Sequence, residues 1–102
     1  MKIYNKLVRD KIPQIIAADG QSAKTRTLND KEYLRELFNK LKEEADELEK
    51  NPSIEELADV QELVITISEE LKIQAGKLED IRRKKAAERG RFKNKIFLES
   101  VE

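Results

Sequence analysis

The sequence contains no cysteine and no histidine among its 102 residues. These absences exclude disulfides, thiolate and imidazole metal ligands, and nucleophilic sites that pair serine or cysteine with histidine. Any metal ion that the protein binds must therefore be held by oxygen atoms. Glycine occurs three times and proline twice, which disfavours sheets joined by tight turns, since such turns use more of both residues.

Long apolar runs are also missing. The longest extend over only a few residues, and Met1 to Asn5 lack the apolar stretch of a signal peptide. We therefore expect a cytoplasmic protein that has no membrane partner.

The residues that are abundant favour helices. Charged residues make up 41% of the chain and hydrophobic residues 38%, which is typical of amphipathic helices. A chain of this length has little room for a second core. We predict one all-α domain over residues 1–102, an antiparallel bundle of about four helices that is completed by oligomerisation.

The net charge of zero conceals a segregation of charge along the chain. Residues 1–28 carry six Lys/Arg and two Asp/Glu, residues 29–74 carry six and fourteen, and residues 75–102 carry nine and five. A site for a cation and a polyphosphate needs both carboxylates and basic side chains, so the segregation favours such a site. The alternative is that long helices carry their charges in blocks on solvated faces.

Apolar periodicity predicts helices at about residues 10–18, 29–50, 53–74 and 77–89. Asp10 is a candidate cap for the first helix, and Ser53 opens the third with Glu56 in the capping-box position. The short connection at Asn51-Pro52 makes the second and third helices antiparallel neighbours. The tail from Phe92 to Val101 is predicted to be a short strand or an arm.

Acidic residues occupy positions in two of these helices where the amphipathic pattern requires apolar ones. At about 100° per residue, Glu44 projects inside the apolar stripe of the second helix, and Glu47 lies at the edge of that stripe. In the third helix Glu56 lies on the apolar side, with Asp59 next to it. Antiparallel packing would bring the two pairs of carboxylates together.

Four carboxylates in a partly buried place repel one another, and a divalent cation relieves this repulsion. Oxygen ligands alone favour Mg²⁺, with Mn²⁺ as the alternative. A di-iron carboxylate bundle requires histidine, which the chain lacks. Other roles remain open for three of the positions: Glu56 as the capping partner of Ser53, Glu47 as the partner of a lysine, and Asp59 on a solvated edge.

The acidic positions also form a pattern found in a known family. Glu43-Glu44-x-x-Glu47 followed by Glu56-x-x-Asp59 resembles the signature of the all-α nucleotide pyrophosphohydrolases, which include MazG, dimeric dUTPases and phosphoribosyl-ATP pyrophosphohydrolase. The opening from Tyr4 to Pro13 and the later Lys85-x-x-x-Arg89-Gly90-x-Phe92 resemble small MazG-like members. The similarity extends over nearly the whole chain.

The resemblance implies a reaction and a set of functional residues. It implies cleavage of a nucleoside triphosphate between the α and β phosphates, which yields a monophosphate and pyrophosphate. The implied magnesium ligands are Glu44, Glu47, Glu56 and Asp59. Glu43 and Glu44 are the implied catalytic residues, Glu43 either as a proton acceptor or as a supporting side chain. The candidate phosphate contacts are basic residues: Lys6, Arg9, Lys11, Lys85, Arg89, Lys93 and Lys95.

Several alternatives remain open. The substrate is expected to be a non-standard nucleotide, with phosphoribosyl-ATP as a second possibility, and a non-catalytic helical binding module is a different class of function. A nucleic-acid partner is not expected, because the chain is neutral, has an acidic middle and has few aromatic residues. The wide apolar arc of the third helix predicts a homodimer or homotetramer with the second or third helix at the interface.

Overall fold

The computed structural model of the protein describes residues 1–102 and contains four helices and no strand. They are α1 (Ile12–Ala18), α2 (Asp30–Lys50), α3 (Ile54–Glu70) and α4 (Lys77–Arg89). The all-α prediction is confirmed. Chain contacts divide the protein into two compact units, Met1–Leu71 with α1 to α3 and Lys72–Glu102 with α4. None of the four helices is long and apolar enough to cross a membrane.

The two long helices begin at side-chain caps that the sequence provides. Asn29 Oδ1 accepts the backbone N–H of Glu32 at 2.9 Å, and Glu32 Oε1 accepts the N–H of Asn29 at 3.3 Å, which completes a capping box. Ser53 Oγ accepts the N–H of Glu56 at 3.2 Å at the start of α3. Both bonds satisfy donors that a helix leaves free in its first turn.

Helices α2 and α3 pack against each other after the connection over residues 51–53. Near this connection Glu44 lies beside Glu56. At the other end, burial raises the pKa of Tyr33, and the negative charge of Glu70 raises it further. Glu44 near the end of α2 thus lies beside Glu56 at the start of α3, and Tyr33 at the start of α2 lies near Glu70 at the end of α3. The helices are therefore antiparallel, as predicted. This packing buries Leu37 of α2 and Ile67 of α3.

The apolar stripe predicted for the second helix is only partly buried. Leu37 is 1% exposed, and Leu34, Leu41 and Leu48 are half-buried. Phe38 is 41% exposed and Ala45 is also exposed, because these two positions lie about 80–100° around the helix from Leu37. The packed side of α2 is therefore narrower than the apolar pattern indicates.

Helix α3 has two apolar sides, and only one of them faces α2. Ile67 lies on the packed side, whereas Ile54, Leu57 and Ile65 on the opposite side are 76%, 56% and 46% exposed. Residues 54, 57, 58, 61 and 65 follow the spacing of a single helix face. The wide apolar arc read from the sequence is therefore divided into one buried stripe and one exposed stripe.

Three details differ from the sequence-based expectations. The N-cap of α1 is Lys11 rather than Asp10, and no side chain caps this helix. Helix α3 ends at Glu70, four residues before Gln74, because Lys72 adopts a left-handed conformation with φ of 60°, which a right-handed helix cannot continue. The tail after Phe92 forms no strand.

The unit Lys72–Glu102 has no buried side chain. Helix α4 begins after Gly76 and ends at Gly90, and both glycines have positive φ angles. Glu79 accepts hydrogen bonds from Arg82 and Arg83, which lower its pKa to about 2. The tail carries exposed apolar side chains: Phe92, Ile96, Phe97, Leu98 and Val101.

The burial of Leu37 leads to a stability prediction. We expect Leu37→Ala to lower the free energy of unfolding by about 2–5 kcal/mol, because the truncation leaves a cavity where α2 meets α3. Leu98→Ala is the matched control, since Leu98 is 74% exposed, and we expect a change within about 0.5 kcal/mol. Urea denaturation followed by circular dichroism measures both. Equal effects of the two substitutions would show that Leu37 is not part of a packed core.

Candidate metal centre

Three acidic side chains converge where α2 packs on α3. One carboxylate oxygen each from Glu44, Glu56 and Asp59 lies within 4.8 Å of the other two, and all three residues are half-buried. Glu44 comes from α2, while Glu56 and Asp59 come from the first two turns of α3. The antiparallel packing therefore brings together carboxylates from both helices.

Helix geometry explains why these side chains face each other. Glu44 lies about 20° from Leu37 and about 40° from Leu48 around the axis of α2, so the same rotation that buries Leu37 turns Glu44 toward α3. Its side chain is 15% exposed. Glu56 and Asp59 are three residues apart and share the side of α3 that carries Ile67.

The cap at Ser53 leaves the Glu56 side chain available for the cluster. The backbone N–H of Glu56 donates to Ser53 Oγ, but the Glu56 carboxylate does not return a bond to the Ser53 backbone, so the capping box is incomplete. The alternative role of Glu56 as the capping partner of Ser53 therefore involves its backbone N–H and not its carboxylate.

The Glu56 carboxylate lies in an unfavourable environment for a negative charge. Its Oε2 atom is buried and has no hydrogen-bond partner in the protein. Burial raises the pKa of Glu56, and the negative charges of Glu44, Asp59 and Glu47 raise it further. A buried oxygen without a donor, surrounded by carboxylates, is suited to a cation. The donor set consists of oxygen alone, which suits a hard cation such as Mg²⁺ or Mn²⁺.

Basic side chains from the segment before α1 contact the acidic residues. Arg9 Nη2 donates to Asp59 Oδ1 at 2.7 Å, and Lys6 Nζ donates to Glu43 Oε1 at 3.0 Å. The hydrogen bond from Lys6 lowers the pKa of Glu43. Two of the basic residues predicted from the sequence as phosphate contacts thus lie beside the carboxylates.

Lys40 belongs to this site, although the sequence analysis did not identify it. Its Nζ lies 3.5 Å from Glu44 Oε1 and 3.6 Å from Glu43 Oε1, and its side chain is 23% exposed. The spacing i, i+3 and i, i+4 from Lys40 to these two glutamates was the available signal. This spacing did not single out Lys40, because such pairs are common in charged helices.

A polar cleft adjoins the carboxylates on the side of Lys6 and Lys40. Its volume is about 240 Å³. Residues 5–7 form one wall, and side chains of α2 form the other: Glu36, Asn39, Lys40 and Glu43. The cleft presents two ammonium groups and two side-chain amides. These groups donate hydrogen bonds, which the oxygen atoms of a phosphate or a sugar hydroxyl accept.

The remaining predicted site residues are not part of the three-carboxylate cluster. Glu47 is exposed and does not share the close oxygen set, although its charge contributes to the raised pKa of Glu56. Lys11 is exposed and forms no ion pair. The four basic residues of the second unit are all exposed: Lys85, Arg89, Lys93 and Lys95.

Comparison with known proteins identifies one relative with a partial match. It is an uncharacterized protein of Mycolicibacterium smegmatis that is 52% identical over 42 residues. The match covers 41% of this chain and 43% of the relative, so it spans less than half of either protein. No protein-family model matches the chain, and no solved structure matches it.

The opposite pKa shifts of Glu56 and Glu43 lead to a pH prediction for the metal-free protein. A raised pKa means that the folded state binds more protons than the unfolded state between about pH 4.5, the ordinary value for glutamate, and the raised pKa of Glu56. The Glu56 charge then destabilises the fold as pH rises. We therefore expect Glu56→Gln to melt above the wild type at pH 7.5, and the difference to vanish toward pH 4.

Glu43→Gln is the matched comparison, with the opposite sign. The lowered pKa of Glu43 contributes stability above about pH 4.5 that is lost as pH falls. We expect this variant to melt below the wild type at pH 7.5. Melting curves in EDTA from pH 4 to pH 7.5 measure both differences. If Glu56→Gln melts below the wild type throughout, the carboxylates do not repel one another as the cluster requires.

Proposed function

We propose that the protein is a magnesium-dependent nucleoside triphosphate pyrophosphohydrolase of the MazG-like type. One observation carries the proposal: Glu44, Glu56 and Asp59 converge, and the buried Glu56 Oε2 has no hydrogen-bond partner. These are three of the four positions at which the family resemblance implies magnesium ligands. The proposed substrate is a non-standard nucleoside triphosphate, and phosphoribosyl-ATP is the second candidate.

Glu44, Glu56 and Asp59 would hold the cation, with Glu47 as a further ligand at the exposed edge. When bound, Mg²⁺ supplies Lewis-acid activation of water and neutralises charge on the departing pyrophosphate. The protein's own basic groups bind and orient the phosphates, since Lys6, Arg9 and Lys40 lie beside the carboxylates. Hydrolysis of a phosphoanhydride depends chiefly on such positioning and charge stabilisation.

Glu43 is the proposed proton acceptor for the attacking water. Its hydrogen bond from Lys6 lowers its pKa and so weakens its affinity for a proton. A role as base therefore requires Lys6 to leave Glu43 when substrate is present. Lys85, Arg89, Lys93, Lys95 and Lys11 remain proposed phosphate contacts on the basis of the family resemblance alone.

We further propose that the exposed face of α3 joins copies of the chain into a homodimer or homotetramer. The face carries Ile54, Leu57 and Ile65, and Ile54 and Leu57 line an apolar cleft of about 400 Å³. A face of this kind is unfavourable in water, and a two-fold contact would cover the same face on both copies. Oligomerisation would thus supply the burial that the two buried side chains of one chain do not provide.

The catalytic prediction concerns Glu44 and Asp59. We expect Glu44→Gln and Asp59→Asn each to lower kcat by about a hundredfold or more, because each removes a charge from the cation site. Asp46→Asn is the matched control, since Asp46 is exposed on the same helix as Glu44 and is outside the cluster. The assay follows pyrophosphate release from a panel of nucleoside triphosphates and phosphoribosyl-ATP with Mg²⁺.

Circular dichroism checks that helix content is retained in the variants. If no nucleotide in the panel is hydrolysed, the chain is a non-catalytic helical module. If both variants retain wild-type turnover, the reaction takes place elsewhere in the protein.

The oligomer prediction uses the exposed face of α3. We expect Leu57→Glu to weaken self-association by about tenfold or more, because it places a charge in an apolar contact. Leu98→Glu makes the same replacement of leucine by a charged side chain in the exposed tail and serves as the control. Sedimentation velocity over a range of protein concentrations measures the association. A wild-type protein that is monomeric at every concentration contradicts the proposal.

A further inference from the structure

The segment before α1 provides positive charge to the acidic cluster. Arg9 reaches Asp59 across 50 positions of sequence, and Lys6 reaches Glu43 across 37. Both bonds connect residues 1–11, here called the basic segment, to the two helices that carry the carboxylates. The segment has no helix before Ile12, and these two ion pairs attach it to the acidic residues of α2 and α3.

Arg9 binds a carboxylate group of the candidate cation site. Asp59 is one of the three residues whose carboxylate oxygens converge, and Arg9 Nη2 lies 2.7 Å from its Oδ1. The guanidinium and a divalent cation would both be attracted to this carboxylate and would repel each other. The side chains of Arg9 and Asp59 are 59% and 37% exposed, and ion pairs at this exposure are weak and easily replaced.

A count of charges shows what a cation would change. The ionised carboxylates of Glu43, Glu44, Glu47, Glu56 and Asp59 carry five negative charges, and Lys6, Arg9 and Lys40 beside them carry three positive charges. The group is therefore negative by two charges, and one divalent cation makes it neutral. The cation then competes with the basic side chains for the carboxylates, and a basic side chain that it displaces is available to an anion.

Resting on the proposed function, we propose that the basic segment is a displaceable counter-ion: Arg9 neutralises Asp59 before a divalent cation binds, and the cation releases Arg9 toward the phosphates of the substrate. Lys6 leaves Glu43 in the same exchange, because Lys6 and Arg9 lie on the same short segment. Cation binding thereby creates the anion site. Arg9 acts as a positioning residue in this exchange, since it links the loading of the carboxylates to the capture of phosphate.

The first test measures Mn²⁺ affinity by electron paramagnetic resonance of the full chain, without substrate. We expect Arg9→Gln to bind Mn²⁺ about two- to fivefold more tightly than the wild type, because the competing exposed ion pair is gone. Lys11→Gln removes the same charge two residues from Arg9, and the Lys11 side chain forms no ion pair. We therefore expect a smaller change in Mn²⁺ affinity for this variant. Arg26→Gln breaks another exposed pair, with Glu32 at 3.1 Å, and should leave the affinity unchanged.

The second test measures release of the segment in the wild-type protein. Trypsin cleavage at the Lys6–Leu7 bond, followed by mass spectrometry, should be about threefold faster or more with saturating Mn²⁺. Cleavage at Arg26–Thr27 is the internal reference and should not change. With Mn²⁺ bound, inorganic pyrophosphate should slow cleavage at Lys6–Leu7 again, because the released basic groups bind the anion.

The possible outcomes separate the exchange from the proposed function. The exchange is wrong if the wild type binds Mn²⁺ and Arg9→Gln binds it no more tightly than the wild type or than Lys11→Gln. The carboxylate site stands in that case. Unchanged cleavage at Lys6–Leu7 on adding Mn²⁺ likewise overturns the exchange alone. If neither the wild type nor Arg9→Gln binds Mn²⁺, the cation site and the exchange fail together.

Discussion

The antiparallel packing of α2 on α3 is the constraint on which the candidate site depends. It buries Leu37 and Ile67, and the same rotation of α2 that buries Leu37 turns Glu44 toward α3. Burial of apolar surface stabilises the pair of helices, whereas the approach of the carboxylates opposes it. The apolar contact thus holds together charges that would otherwise separate, and this opposition makes the location suitable for a cation.

The electrostatic arrangement around this contact is layered. Glu56 has a buried oxygen and a raised pKa, while Glu43 at the outside has a pKa lowered by Lys6. Basic side chains therefore stabilise the outer carboxylates and leave the inner one uncompensated. In the proposed enzyme the inner group binds the cation, and the outer basic groups face the phosphates.

The division of α3 into two apolar faces links the site to assembly. Glu56 and Asp59 lie on the side that meets α2, and Leu57 and Ala58 lie between them in sequence but face away. A second copy on the exposed face would therefore support the helix that carries two of the proposed ligands without contacting the ligands themselves. Self-association and turnover would then be altered independently by substitutions at Leu57 and at Asp59.

Local chemistry in the sequence determined the helices, and tertiary structure decided the contacts. Ser53 as a cap, the spacing of the apolar residues and the break at Pro52 were sufficient to predict four helices, and the position of Glu44 within its stripe indicated where carboxylates would meet. The pairs Arg9–Asp59 and Lys6–Glu43 could not be predicted, because they join distant residues through an irregular segment without periodicity. The same holds for the exposed position of Glu47 and for the early end of α3 at Glu70, since the first depends on helix rotation and the second on the left-handed backbone of Lys72, which composition does not specify.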